Sequence, residues 1–262
     1  MNNQSIGVFD SGVGGLSILR ELESRLPGEQ YIYFADQQNV PYGEKTKNEL
    51  IVLTSRIMEF FMTQKIKLAV VACNTATCYA IEELRNTFSI PIVGVVPAIK
   101  TAAEQTKTGK IALIATPATA QSPYVTELIK KYANNIKVLR IGCAGLEDSV
   151  ETGQLHGPKT SKLLNTYILP LKREGIDRLV LGCTHYPFLK EEIAVILGPT
   201  ITIIDSGKAV AERVQFLLDK NNLRNSTGNT PNQFFTNKDA NSLSRVASEL
   251  LHYSVVAKYT SV

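Results

Sequence analysis

Cys73 and Cys183 stand in matched settings, and thiols so placed can move protons. Cys73 lies in Leu68-Ala69-Val70-Val71-Ala72-Cys73-Asn74-Thr75, and Cys183 in Leu179-Val180-Leu181-Gly182-Cys183-Thr184-His185. Each follows a short apolar run and precedes a small polar residue, the pattern of a buried strand opening into a loop at its C-terminal end. The two are about one domain length apart. Two thiols at equivalent ends of two sheets suit a reaction in which one group removes a proton and the other returns it.

The other motifs fall at similar places. Asp10-Ser11-Gly12-Val13-Gly14-Gly15 follows an apolar run and precedes a helical pattern. Its glycines allow a tight turn, and a helix N-terminus offers free N–H groups to an anion. Ser17 stands where a dinucleotide fingerprint has its third glycine, and no Gly-Lys-Ser/Thr follows, so neither that fingerprint nor a P-loop is present. The ordinary reading is a strand–helix turn with Asp10 or Ser11 as N-cap; the functional one has Asp10 hold a substrate ammonium or orient a neighbouring acid. Pro41-Tyr42-Gly43 reads as turn chemistry, and its backbone N–H groups could also meet a carboxylate.

Cys73-Asn74-Thr75 stands where a helix starting at Ala76 is expected. The helix dipole there favours thiolate, while Asn74 and Thr75 serve equally well as caps. In Cys183-Thr184-His185-Tyr186-Pro187 the histidine brings a titratable group within two residues of a thiol, and Pro187 fits the first turn of a following helix. The same pair fits a hydrolase nucleophile and base, which would leave the second matched thiol unexplained. Cys78 and Cys143 read as inert core thiols, His156 as a surface loop residue, and His252 has no partner motif. Four cysteines make no disulfide framework, and no second Cys/His pair accompanies Cys73 and Cys78 at zinc-site spacing, so no metal centre is expected.

These residues need elements to position them. Strand patterns cover Ser5–Phe9, Gln30–Ala35, Leu68–Ala72, Ile92–Val96, Lys110–Ala115, Lys137–Ile141, Arg178–Leu181 and Thr200–Ile204. Helical patterns cover Leu16–Arg25, Lys47–Gln64, Ala76–Thr87, Ile99–Gln105, Pro123–Tyr132, Pro158–Glu174, Lys190–Leu197, Ala209–Asn221 and Ala240–Leu251. Such alternation predicts parallel sheets covered by helices, with ligands beyond the carboxyl ends of the strands. A faint repeat pairs Phe9-Asp10-Ser11-Gly12 with Ile204-Asp205-Ser206-Gly207, and Val71-Ala72-Cys73-Asn74-Thr75 with Leu181-Gly182-Cys183-Thr184-His185. The expected fold is therefore α/β: two pseudo-symmetric doubly wound domains with mainly parallel sheets and an active site in the cleft between them. The first domain takes residues 1–96 and 208–262, the second residues 97–207, with a flexible connector at Asn221–Asn232.

The chain of 262 residues is 44% hydrophobic and 20% charged, with a net charge of +4 spread through the predicted helices. That distribution argues against nucleic acid as a partner. The start carries no signal-peptide pattern, and no apolar run approaches the roughly 20 residues of a membrane helix. A cytoplasmic protein without membrane contact is expected.

Read together, Asp10-Ser11-Gly12, Pro41-Tyr42-Gly43, Cys73-Asn74-Thr75-Ala76 and Gly182-Cys183-Thr184-His185-Tyr186-Pro187 resemble the glutamate racemase family of the aspartate/glutamate racemase superfamily. The motifs appear in the family's order and span Gly7 to Asp205. The resemblance implies an isomerase of L- and D-glutamate that uses no cofactor, forms a homodimer, and supplies D-glutamate for peptidoglycan in the bacterial cytoplasm. It implies that Cys183 deprotonates L-glutamate and Cys73 D-glutamate, assisted by His185 and Asp10 respectively. Ser11, Pro41, Tyr42, Gly43, Asn74, Thr75 and Thr184, with Asp10 and His185, would hold the substrate, and Asp36 would stand behind them. Many members carry a Cys-Pro-Leu-Phe stretch leading to a Glu near the site; here that stretch runs from Cys143, and Glu151 is the positional match. The short segment before Asp10 lacks the extension of members activated by a cell-wall precursor, which implies activity without one. An aspartate or hydantoin racemase, a Cys–His amidohydrolase, and a non-catalytic protein that binds an acidic amino acid are the rival readings.

Overall fold

The computed structural model describes residues 4–225 and 231–262. In chain order its elements are β1 Ile6–Asp10, α1 Leu16–Arg25, β2 Tyr31–Ala35, α2 Lys47–Thr63, β3 Leu68–Val71, α3 Asn74–Thr87, β4 Ile92–Gly94, α4 Ile99–Gln105, β5 Lys110–Ala115, α5 Pro117–Gln121, α6 Pro123–Tyr132, β6 Lys137–Gly142, α7 Leu146–Glu151, α8 Pro158–Tyr167, β7 Arg178–Leu181, α9 Lys190–Leu197, β8 Thr202–Ile204, α10 Gly207–Lys220, β9 Gln233–Thr236, α11 Ala240–Leu251 and β10 Ala257–Tyr259. They fall into two compact units, one running to Val95 and resuming at Gly207, the other Val96–Ser206. Among the described residues no helix is long and apolar enough to cross a membrane.

The first unit holds a six-stranded sheet in the order β10-β9-β2-β1-β3-β4, every pair parallel. β1, β2 and β3 are buried along their whole length, as near-continuous apolar runs covered on both faces must be. Side chains alternate between the faces. Phe9, Ile32, Phe34, Ala69 and Val71 pack with Ile57, Met58 and Phe61 of α2 and with Ile81 and Leu84 of α3. Tyr31 and Tyr33 serve the opposite face: Tyr31 Oη donates to the Leu22 and Leu26 carbonyls of the α1 turn, and Tyr33 Oη to the Gly12 carbonyl. Each large apolar side chain buried this way contributes about 1.5–3 kcal/mol. A capping box starts α2: the Thr46 hydroxyl accepts the Glu49 N–H, and Glu49 accepts the Thr46 N–H.

The second unit holds a four-stranded sheet in the order β6-β5-β7-β8, also parallel throughout. The expected α/β architecture with parallel sheets therefore forms, and each of the eight expected strands is present within two residues at either end. Parallel register brings the motif-bearing strand ends to one edge of each sheet. Asp10 is level with Ala35, and Phe9 with Val71; Ile114 is level with Leu181.

The sequence pattern also erred in places. β9 and β10 extend the first sheet and carry too short an alternation to be seen in the sequence. The five- and six-residue helices α5 and α7 were not expected either. The helix expected at Pro158–Glu174 ends at Tyr167, and Leu169–Arg173 continues as a 3-10 turn. Pro170 supplies no N–H there and disfavours helical dihedrals at Leu169. Within the expected connector Asn221–Asn232, residues 226–230 lie outside the described residues.

Candidate active site

In the first unit the candidate residues emerge from the carboxyl ends of β1, β2 and β3. Asp10, fully buried at the end of β1, accepts the Ser11 N–H on Oδ1 at 2.8 Å and the Gly15 N–H on Oδ2 at 2.5 Å. Its carboxylate therefore closes the Ser11–Gly15 loop. The N-cap of α1 is Gly15, rather than Asp10 or Ser11 as the sequence suggested, and it carries no side-chain cap. Gly15 is required by close approach: a Cβ there would stand 2.7 Å from Asp10 Cβ and 2.9 Å from Tyr33 Oη. Ser11 is buried, its hydroxyl 3.4 Å from Asp10 Oδ1.

Cys73 is itself the N-cap of α3. Its Sγ accepts the Ala76 N–H at 3.5 Å, and the helix begins at Asn74 instead of Ala76. A sulfur at this position meets the positive end of a 14-residue helix, where an anion is stabilised. Asn74 and Thr75 thus lie in the first turn and do not cap it; Asn74 Nδ2 donates to the Val95 carbonyl at 3.2 Å.

Beyond the end of β2, Asp36 is buried and collects three side-chain donors. Asn39 Nδ2 reaches Oδ1 at 2.8 Å, Asn237 Nδ2 reaches the same oxygen, and Tyr42 Oη donates to Oδ2. Burial raises the Asp36 pKa, and these donors with Lys45 offset only part of it. Tyr42 opens a 3-10 turn, Tyr42–Glu44, directly after Pro41, with Gly43 half-buried inside it. Burial and the neighbouring Asp36, Cys73 and Asp10 hold its hydroxyl well above the ordinary range. Tyr42 is therefore a neutral donor to Asp36, and its ring packs in the apolar cluster that contains Cys73.

In the second unit Gly182 follows β7 and donates its N–H to the Ile114 carbonyl at 2.7 Å. A Cβ at Gly182 would lie 2.6 Å from Leu113 Cδ1 and 3.1 Å from that carbonyl oxygen, so only glycine lets the chain pass β5 this closely. Cys183 comes next, its Sγ 3.5 Å from His185 Nδ1; His185 Nε2 lies 2.7 Å from Glu151 Oε1. The Glu151 carboxylate holds the proton on Nε2, which leaves Nδ1 to exchange a proton with the thiol. Burial raises the Cys183 thiol pKa, and His185 offsets part of the rise. Burial opposes a charge on His185, but Cys183 and Glu151 outweigh it and push the imidazole well above its usual value.

The neighbours of Cys183 differ in kind. Cys143 is pushed up to about 12, chiefly by burial, and its carbonyl accepts the Tyr186 hydroxyl at 3.1 Å. Glu147 precedes Glu151 by one turn of α7 and is raised by burial. Thr184 is buried beside the thiol. His156 lies on the surface, paired with Glu192.

Ser11, Asp36, Tyr42, Cys73, Asn74, Thr75 and Asp10 thus gather in one unit, and Glu151, Cys183, Thr184 and His185 in the other. The repeat holds for strand position and fails for chemistry. Asp205 matches Asp10 in sequence, yet it pairs with Lys190 at 3.0 Å, whereas Asp10 accepts backbone N–H groups of its glycine loop. Sequence reasoning missed Asn237, whose only signal was the short Gln-Phe-Phe-Thr strand preceding it.

The profile of the Asp/Glu/Hydantoin racemase family matches residues 6–214. A glutamate racemase from Herpetosiphon aurantiacus is 46% identical over 225 residues, 86% of this chain and 89% of its own length. The crystal structure of a glutamate racemase isoform from Bacillus anthracis superposes with a TM-score of 0.92 at 33% identity, covering 100% of this chain and 99% of that one. A glutamate racemase from Francisella tularensis, solved in complex with D-glutamate, gives 0.86 at 30% identity, covering 100% and 98%. The chain belongs to the Asp/Glu/hydantoin racemase family of isomerases.

Proposed function

We propose that the protein interconverts L- and D-glutamate by two-base proton transfer at Cα, without a cofactor. The observation that carries this reading is the pair of buried thiols at matching strand ends, one capping a helix and one bonded to a His–Glu pair. In the L-to-D direction the Cys183 thiolate takes the α-proton, so a C–H bond breaks and an S–H bond forms. The Cys73 thiol then gives its proton to the opposite face of Cα and is left as thiolate; exchange with solvent resets both groups. The reading requires the thiols to flank Cα and one of them to be ionised at each step. The α-proton is weakly acidic, so the site must lend hydrogen bonds to the carboxylate as carbanion charge develops. Ser11, Asn74, Thr75 and Thr184, with the Pro41-Tyr42-Gly43 turn, supply buried or half-buried polar groups of that kind. In this reading Asp10 assists Cys73 by fixing the adjoining loop, and Glu151 assists Cys183 through His185. The same family reading makes the protein a cytoplasmic bacterial homodimer that supplies D-glutamate for peptidoglycan.

The test is incubation of the purified protein with L-glutamate in D2O with no added cofactor. Proton NMR follows Cα exchange and circular dichroism follows chirality. Exchange with decay of the optical signal to zero is expected. No exchange on glutamate, with exchange on aspartate, would replace the substrate; no exchange on either would remove the catalytic reading.

A further inference from the structure

We propose that Asn237 is a positioning residue for the Cys73 half of the site, acting through Asp36 and Tyr42. The inference rests on the reading that Cys73 is one of the two bases. β2 and β9 pair with Ala35 level with Thr236, so the next residues, Asp36 and Asn237, leave the sheet side by side. Asn237 is buried, and its amide is fixed at both ends: Oδ1 accepts the Gln38 N–H at 3.0 Å and Nδ2 donates to Asp36 Oδ1. Thr236 adds a second tie, its hydroxyl donating to Gln37 Oε1 at 3.1 Å. Asp36 in turn receives the Tyr42 hydroxyl, and the Tyr42 ring packs in the cluster that holds Cys73.

A carboxylate as buried as Asp36 stays ionised only through its donors. Asn237 is one of three side-chain donors, and Lys45 is the charge that assists them. The groups facing Tyr42 are Asp36, Cys73 and Asp10. Protonation of Asp36 removes the charge that strengthens its hydrogen bond from Tyr42, and the ring packed in the Cys73 cluster is then held less firmly. Removing the Asn237 donor raises the Asp36 pKa, so the loss is greatest at low pH and recovers as pH rises.

The experiment follows kcat/KM for Asn237→Ala from about pH 6 to about pH 9 with both enantiomers. At pH 7 we expect a fall of about tenfold, the size of one charge-assisted hydrogen bond, narrowing as pH rises. The primary isotope effect should rise with α-deuterated D-glutamate and fall with the α-deuterated L-enantiomer, because the step at Cys73 becomes more rate-limiting. Asp36→Asn should be depressed at every pH, and adding Asn237→Ala to it should cost less than about twofold more. Should Asn237→Ala fail to fold, Asn237→Ser is read in the same way. A pH profile scaled down uniformly, isotope effects that move equally, or full additivity with Asp36→Asn would each overturn the proposal. Cys73→Ala separates the two levels: an inactive Cys73→Ala leaves the base assignment standing when the Asn237 results fail, and an active one removes that assignment itself.

Discussion

Glu151→Gln removes one charge and almost no volume from the Cys183 half of the site. The carboxylate lies 2.7 Å from His185 Nε2, and the two side chains are 11% and 4% exposed, so salt screens the pair little. The Gln carbonyl can still accept the Nε2 proton; the tautomer is kept and the charge is lost. A hydrogen bond to a charged partner contributes about 1.5–3 kcal/mol and a neutral one about 0.5–1.5 kcal/mol; the difference, about 1–1.5 kcal/mol at about 1.36 kcal/mol per tenfold, should lower kcat/KM roughly 5- to 13-fold. The fall is equal in both directions, because mirror-image substrates fix the equilibrium constant at unity. Direction shows in the primary isotope effect instead, which should rise with α-deuterated L-glutamate as the Cys183 step slows. Stability gives an independent check. The folded state holds the His185 proton above the usual imidazole range, while the unfolded chain releases it near about pH 6.5. The stabilisation is therefore full below that pH and is lost as pH rises through the folded value. In Glu151→Gln the folded value drops, so the decline of Tm above neutral pH should flatten. Parental kcat/KM together with a parental slope of Tm against pH would refute the His185–Glu151 assignment.

Cys73→Ala and Cys183→Ala should each abolish racemisation in both directions, measured by circular dichroism on either enantiomer; full activity in one would sink the two-base assignment. Gly182→Ala forces a methyl to 2.6 Å from Leu113 Cδ1 and 3.1 Å from the Ile114 carbonyl oxygen. It should cost about 1–3 kcal/mol by denaturant titration and lower kcat by shifting Cys183; unchanged values of both would contradict the close approach. Lys67 and Glu29 form an ion pair at 2.6 Å, with side chains 0% and 2% exposed. Lys67→Met leaves Glu29 buried and unpaired and should cost about 3–5 kcal/mol, most of it recovered in the double variant with Glu29→Leu. An additive double variant would show that the pair is not coupled.

The strands that carry the site were legible because strands in a doubly covered parallel sheet are nearly continuous apolar runs, and a cysteine ending such a run marks the functional edge. Local pattern failed where the contact is long-range or the element short. α7, which brings Glu151 to His185, has six residues and begins after Gly145 at φ +77°, with no side-chain cap to announce it. Only resemblance to the racemase family pointed to Glu151. Asn237 meets Asp36 across 201 residues of sequence, through the pairing of β2 with a four-residue strand. The start of α3 was misread by two residues because propensity favours Asn and Thr as caps, whereas the cap here is the thiol itself.

The two thiols occupy matching places in their sheets but have different supports, and the difference has a kinetic consequence. Cys73 is held at a helix start, where the Ala76 N–H and the peptide dipoles favour an anion and do not titrate. Cys183 is served by an imidazole and a carboxylate, both of which do. Proton transfer at Cys183 should therefore carry the steeper pH dependence. On the Cys73 side, Asp36 accepts the Tyr42 hydroxyl, and the Tyr42 ring packs in the cluster that holds Cys73. Substitutions around His185 should move the inflections of the pH–rate profile. Substitutions in the first turn of α3 should change its height and leave its shape. A family of profiles from the two half-sites that shift in the same way would mean that the thiols titrate as one coupled system.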